Sequence, residues 1–137
     1  MTRAIVVDDY EKWRRFVVST VRAYPELEII AEAEDGPEAV LKTQELQPDL
    51  ILLDIGLPTL NGIEVARQIR SVSPMSKILF VSETSSVEIA EGALKVGDGF
   101  VIKSEAGRDL VPAVKSVLEG KRFVSPLLTS LQLIDRR

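Results

Sequence analysis

Four short aliphatic runs in this chain each stop at a polar residue, and each is followed by a longer stretch of helical period. Ile5-Val6-Val7 leads to Asp8, Leu50-Ile51-Leu52-Leu53 to Asp54, Ile78-Leu79-Phe80-Val81 to Ser82, and Phe100-Val101-Ile102 to Lys103. A strand that is apolar at every position must be covered on both faces, and the intervening helices are what cover it. The pattern therefore predicts a parallel α/β sheet. Strands are expected over 3–7, 27–33, 50–53, 77–82 and 99–103, and helices over 10–23, 36–46, 62–71, 85–95 and 106–119. Pro37 suits a helix start, while Pro25, Pro48 and Pro74 fall in connections. The stretch Leu27–Ala33 alternates in part and reads as an edge strand. The 137 residues, 45% of them hydrophobic, suffice for one core and one domain. By analogy with flavodoxin-like sheets, the expected class is a doubly wound (βα)5 fold with strand order 2-1-3-4-5.

In a parallel sheet the carboxyl ends of all strands share one edge, and ligands bind in the crevice outside it. Asp8, Asp9, Asp54, Ser82 and Lys103 all fall at such ends and should converge. Asp49, beside Pro48, precedes its strand and is assigned to a turn. Three crowded carboxylates need cations, and one divalent ion together with Lys103 balances them. Hard oxygen donors favour Mg²⁺, or Mn²⁺ in its place, over zinc. Phosphoryl transfer needs in-line positioning and cations aimed at the oxygens of the moving group, and this set supplies them. Asp54 is the expected nucleophile and becomes an acyl phosphate; Lys103 neutralises phosphoryl oxygens, and the Ser82 hydroxyl donates to one of them. Each residue also has a plainer reading: Asp8-Asp9 as a helix cap, Asp54 as a loop cap, Ser82 as a strand-end hydroxyl.

Composition narrows the alternatives. The chain has no cysteine and no histidine, which removes disulfides, thiolate chemistry, a Ser-His-Asp mechanism and any role as phosphohistidine donor. A net charge of −4 argues against direct nucleic-acid binding. The apolar runs are too short for a membrane span, and no secretion signal is legible at the start, so a cytoplasmic location is expected.

Taken in order, Val7-Asp8-Asp9, Leu53-Asp54-Ile55-Gly56-Leu57-Pro58 with Asn61-Gly62, Val81-Ser82 and Gly99-Phe100-Val101-Ile102-Lys103 resemble the receiver domains of two-component response regulators. The likeness is to the branch related to the nitrate and luminescence regulators and covers roughly residues 3–126. The resemblance implies metal binding by Asp8, Asp9, Asp54 and the Gly56 backbone carbonyl, with phosphorylation at Asp54. It also implies a switch made by Ser82 and Phe100 that reshapes the face of helix 85–95, strand 99–103 and helix 106–119. The implied partners are a sensor histidine kinase or phosphotransfer protein, with a homodimer as a further partner, and the implied output is transcriptional. Three positions depart from the family: Phe100 stands where tyrosine is usual, Gly97-Asp98-Gly99 is one residue short, and Ser104 replaces a proline that often follows the lysine on a cis peptide.

Residues 1–122 are read as the receiver and 123–137 as a linker or short amphipathic helix. In that helix Ser125 is the cap, Pro126 takes the first position, and Leu127, Leu128, Leu131 and Ile134 lie at helical spacing. The eleven residues after Pro126 are too few for a helix-turn-helix output domain, so none is expected within the sequence. Trp13 is expected to pack against Phe16 and Val17 and to sit near the acidic site, while Glu11, Lys12, Arg14 and Arg15 read as a solvated helix face. Two other functions compete. One is a receiver-like module that docks constitutively without phosphorylation. The other is an aspartyl phosphatase of the haloacid dehalogenase style, which needs a second acid where this chain has Gly56.

Overall fold

The computed structural model describes residues 1–130; Leu131 and Ile134 of the expected amphipathic helix lie outside the described residues. Five strands, β1 (Thr2–Val7), β2 (Leu27–Ala33), β3 (Leu50–Leu53), β4 (Lys77–Ser82) and β5 (Gly99–Ile102), alternate with α1 (Glu11–Val21), α2 (Gly36–Leu46), α3 (Gly62–Val72), α4 (Val87–Leu94) and α5 (Ala106–Leu118). All pairings are parallel, and the order is β2-β1-β3-β4-β5 as expected, with a sixth strand, β6 (Phe123–Val124), added beyond β5. A short helix α6 (Pro126–Ser130) follows.

Period-two alternation sorts each strand between two cores. Ile5, Val7, Ile51, Leu53, Ile78, Phe80, Phe100 and Ile102 pack with α2, α3 and α4. Ala4, Val6, Leu50, Leu52, Leu79, Val81 and Val101 pack with α1 and α5. The unbroken apolar character of β3 follows from this: Leu50, Ile51, Leu52 and Leu53 are all buried because helices lie on both faces. Local chemistry sets the helix starts. Asp35 accepts from the Glu38 N–H, Asn61 from the N–H groups of Ile63 and Glu64, and Ser86 from Ile89 N–H, so α4 begins at Val87 instead of 85.

Two findings concern the far side of the sheet. The segment expected to be a linker or short amphipathic helix begins with β6, in register with Gly99 and Phe100 of β5, before the short helix α6. Two apolar residues after a Gly-Lys-Arg turn carry no periodicity, and only the open edge of β5 makes them a strand. The Ser125 hydroxyl turns inward, accepting from Ile102 N–H at 2.9 Å and donating to Asp109 at 3.3 Å, and Leu128 is buried beside Phe100 and Ile102. The short Gly97-Asp98-Gly99 loop is closed by Asp98, whose carboxylate accepts from Ile78 N–H at 2.8 Å and from Arg70 at 2.7 Å. A side chain at Gly97 would meet the Phe80 ring at 2.5 Å, so glycine is what lets this loop lie against β4. After Lys103 the described backbone has no cis peptide, and Lys103–Glu105 forms a 3₁₀ turn that ends β5 one residue earlier than expected.

Candidate functional site

Asp8 and Asp9 follow β1, Asp54 follows β3, Ser82 ends β4 and Lys103 follows β5, and all five line one cleft of about 570 Å³ together with Tyr10, Gly56, Thr84 and Ile89. One carboxylate oxygen from each of Asp8, Asp9 and Asp54 lies within 4.8 Å of the others. Three hard, anionic oxygens at that spacing, with no nitrogen or sulfur donor among them, suit a small hard divalent cation.

The three acids are held differently. Asp8 is wholly buried; its Oδ1 accepts the Tyr10 N–H at 2.9 Å and its Oδ2 pairs with Lys103 Nζ at 2.6 Å. Asp8 thus serves the turn into α1 and the site at once. Asp9 is exposed at the mouth. Asp54 is 6% exposed on the floor of the cleft, where its Oδ1 accepts the Gly56 N–H at 3.3 Å and its Oδ2 lies 3.8 Å from Lys103. Burial, and after it the neighbouring Asp8 charge, pushes the Asp54 carboxyl up to about 6, against the pull of Lys103 and the Gly56 N–H. A carboxylate kept short of compensating charge is poised to gain from a cation.

The loop after Asp54 explains the Asn61-Gly62 pair. Gly62 N–H donates to the Ile55 carbonyl at 2.8 Å, and a Cβ on Gly62 would sit 2.1 Å from the Asp54 carbonyl oxygen. Only glycine lets the start of α3 lie against the backbone that carries Asp54. Ser82 is buried, and its Oγ accepts from Thr84 N–H at 3.3 Å. Phe100 lies three residues before Lys103, outside the cleft lining, and is fully buried among the α4-side residues.

One expectation for α1 is overturned. Arg14 is not part of a solvated face; it is 7% exposed, with its guanidinium donating to the Asp8 carbonyl at 2.8 Å and to Glu32 at 2.9 Å, and with Glu34 at 3.5 Å. It ties the Asp8-Asp9 turn to the end of β2. Glu32 on the edge strand and Glu34 just after it were the available signal, but only the fold brings them opposite Arg14. Trp13 does pack with Phe16, at 4.9 Å between ring centroids, and its other neighbour is Lys103, whose Nζ lies 4.9 Å from the indole centroid.

A family profile described as the response regulator receiver domain matches residues 4–115. The chain belongs to that family. The receiver is 36% identical over 125 residues to the DNA-binding transcriptional activator DevR/DosR of Mycobacterium tuberculosis, covering 90% of this chain and 58% of that protein. It is 34% identical over 134 residues to the transcriptional regulatory protein LnrK of Bacillus subtilis, covering 97% of this chain and 61% of that one. The crystal structure of a two-component response regulator of the LuxR family from Aurantimonas sp. SI85-9A1 superposes with a TM-score of 0.90 at 31% identity, covering 95% of this chain and 94% of that chain. The receiver therefore has the fold and the relatives that its motifs imply, and it spans little more than half the length of the curated relatives it matches. No described helix is long and apolar enough to cross a membrane.

Proposed function

We propose that this receiver takes a phosphoryl group onto Asp54 from a sensor histidine kinase or phosphotransfer protein and passes the event to a transcriptional output. The observation that carries the reading is the placement of Asp54: a buried carboxylate on the floor of an open cleft, 3.8 Å from Lys103 and within reach of two further aspartates. A carboxylate oxygen of Asp54 attacks phosphorus while the bond to the donor nitrogen breaks, and the released imidazole takes up a proton. Lys103 meets the charge on the phosphoryl oxygens, and the Ser82 hydroxyl donates to one of them.

Asp8, Asp9, Asp54 and the Gly56 carbonyl would hold Mg²⁺, or Mn²⁺ in its place, which when bound supplies the remaining neutralisation of those oxygens. Arg14 keeps the Asp8-Asp9 turn in place without occupying a carboxylate oxygen of either aspartate. Ser82 and Phe100 form the switch in this reading, reshaping the surface of α4, β5 and α5 for a partner or a second copy. Support for a transcriptional output comes from the relatives, which are DNA-binding or transcriptional regulators by name. The acidic balance of this chain leaves nucleic-acid contact to other parts of such an assembly, in a cytoplasmic setting.

The test is incubation with acetyl phosphate, with and without Mg²⁺, followed by intact mass of the wild type and Asp54→Asn. The expected result is one added phosphoryl group, roughly 80 Da, that needs both Mg²⁺ and Asp54. No adduct under conditions that slow hydrolysis would leave the constitutive docking module as the better reading. Turnover of an added phosphate monoester would instead favour a phosphatase.

A further inference from the structure

Lys103 is a long, flexible side chain with a task that demands one position. Its ammonium must reach from the end of β5 to a phosphoryl group on Asp54, at the end of β3, although two carboxylates compete for it. The pair with Asp8 is the tight one, at 2.6 Å, while Asp54 lies at 3.8 Å. On electrostatics alone the lysine would settle on Asp8 or swing out to water, since a lysine side chain keeps four rotatable bonds and considerable rotamer freedom. Yet its side chain is only 11% exposed.

The third wall of its enclosure is an indole. Lys103 Nζ lies 4.9 Å from the Trp13 ring centroid, within the range in which the negative face of the ring attracts a cation. Trp13 has the Phe16 ring on one side, at 4.9 Å between centroids and tilted by 32°. It also sits on a helix whose next residue, Arg14, is bonded to the Asp8 carbonyl at 2.8 Å. An aromatic face attracts a cation without forming a tight ion pair, so it can confine the ammonium without holding it as a third carboxylate would.

We propose that Trp13 is a positioning residue for phosphoryl transfer, holding the Lys103 ammonium between Asp8 and Asp54 so that it meets the incoming phosphoryl oxygens with little rearrangement. This rests on the reading of Asp54 as phosphoacceptor, and it goes beyond the packing role that Trp13 has through Phe16. Because Trp13 is the only tryptophan of the chain, its emission also reports the position of Lys103.

The test compares wild type, Trp13→Phe and Trp13→Leu. Phenylalanine keeps a ring face with a weaker attraction for a cation, whereas leucine keeps only the apolar bulk. At saturating Mg²⁺ and fixed acetyl phosphate, Trp13→Leu should form the Asp54 adduct about 3- to 10-fold more slowly than wild type, with Trp13→Phe between them. Equal urea midpoints for the two variants would show that the difference does not come from stability. A Trp13→Leu rate within about 2-fold of wild type would overturn the proposal.

A second measurement needs neither a Trp13 variant nor phosphorylation. Lys103→Met keeps the stem and removes the charge, so the Trp13 emission spectrum should change, and spectra that superimpose would overturn the contact in solution. If the wild type gives no adduct at all, the phosphoacceptor reading fails, while the Lys103→Met spectrum still decides whether the lysine sits on the ring.

Discussion

Replacing Asp54 by asparagine should stabilise the metal-free domain at neutral pH, although it removes the proposed phosphoacceptor. Burial and the Asp8 charge raise the Asp54 carboxyl from 3.8 to about 6. Between those two values the unfolded chain has already lost its proton while the folded chain still holds it. Folded protein binds more protons there, so stability falls as pH rises from about 4 to about 6 and the loss persists above that. At about 1.4 kcal/mol per unit the total is about 3 kcal/mol. Asparagine is isosteric, keeps an oxygen for the Gly56 N–H and carries no charge, so it avoids this loss. Urea unfolding in EDTA, followed by circular dichroism, should find the two proteins within about 1 kcal/mol near pH 4 and the variant ahead by up to about 3 kcal/mol at pH 8. Other carboxylates titrate in both proteins, and the difference between the two curves isolates Asp54. Mg²⁺ should close the gap, since a ligand that binds the folded wild type at a hundred times its Kd adds about 3 kcal/mol, which offsets the loss. A stability difference that is flat from pH 4 to pH 8, or a variant less stable than wild type in EDTA at pH 8, would refute the reasoning.

Substitutions at three further positions probe the supports of the site and of the adjoining sheet edge. Gly62→Ala places a Cβ 2.1 Å from the Asp54 carbonyl oxygen, so the start of α3 or the Asp54 backbone must move. It should cost about 3 kcal/mol in urea unfolding and weaken Mg²⁺ binding measured by calorimetry. Arg14→Ala removes a buried bond to the Asp8 carbonyl and a half-buried one to Glu32 and should cost about 2 kcal/mol while lowering Mg²⁺ affinity. Arg14→Lys should not restore either property, because one ammonium does not reproduce the guanidinium fork. Ser125→Ala deprives the buried Ile102 N–H of its acceptor, at a cost of about 1 to 3 kcal/mol. Hydrogen exchange should show faster exchange at Ile102, and unchanged exchange there would mean that β6 does not depend on this hydroxyl.

The sequence by itself determined the strands, the helices and their order within a residue or two, because an all-apolar strand in a parallel sheet carries its burial on its face. The position of Asp54 after Leu53, set against that of Asp49 before Leu50, separated a site residue from a turn residue. In the structure Asp49 does bond to the backbone of Arg3, at the opposite end of the sheet from Asp54. Convergence of Asp8, Asp9, Asp54, Ser82 and Lys103 followed from the one rule that parallel strands end on a common edge.

What the tertiary structure decided lies in contacts between residues far apart in sequence. Arg14 looks solvated on a helical wheel and becomes buried only because β2 brings Glu32 and Glu34 against α1. Phe123–Val124 becomes a strand only because β5 leaves an edge open, and Asp98 closes a short loop only because Arg70 lies across from it on α3. Trp13 and Lys103 are separated by ninety residues, and no local pattern predicts that an indole will face an ammonium. Local periodicity records which face of an element is buried. Which partner waits on that face depends on the packing of the whole chain.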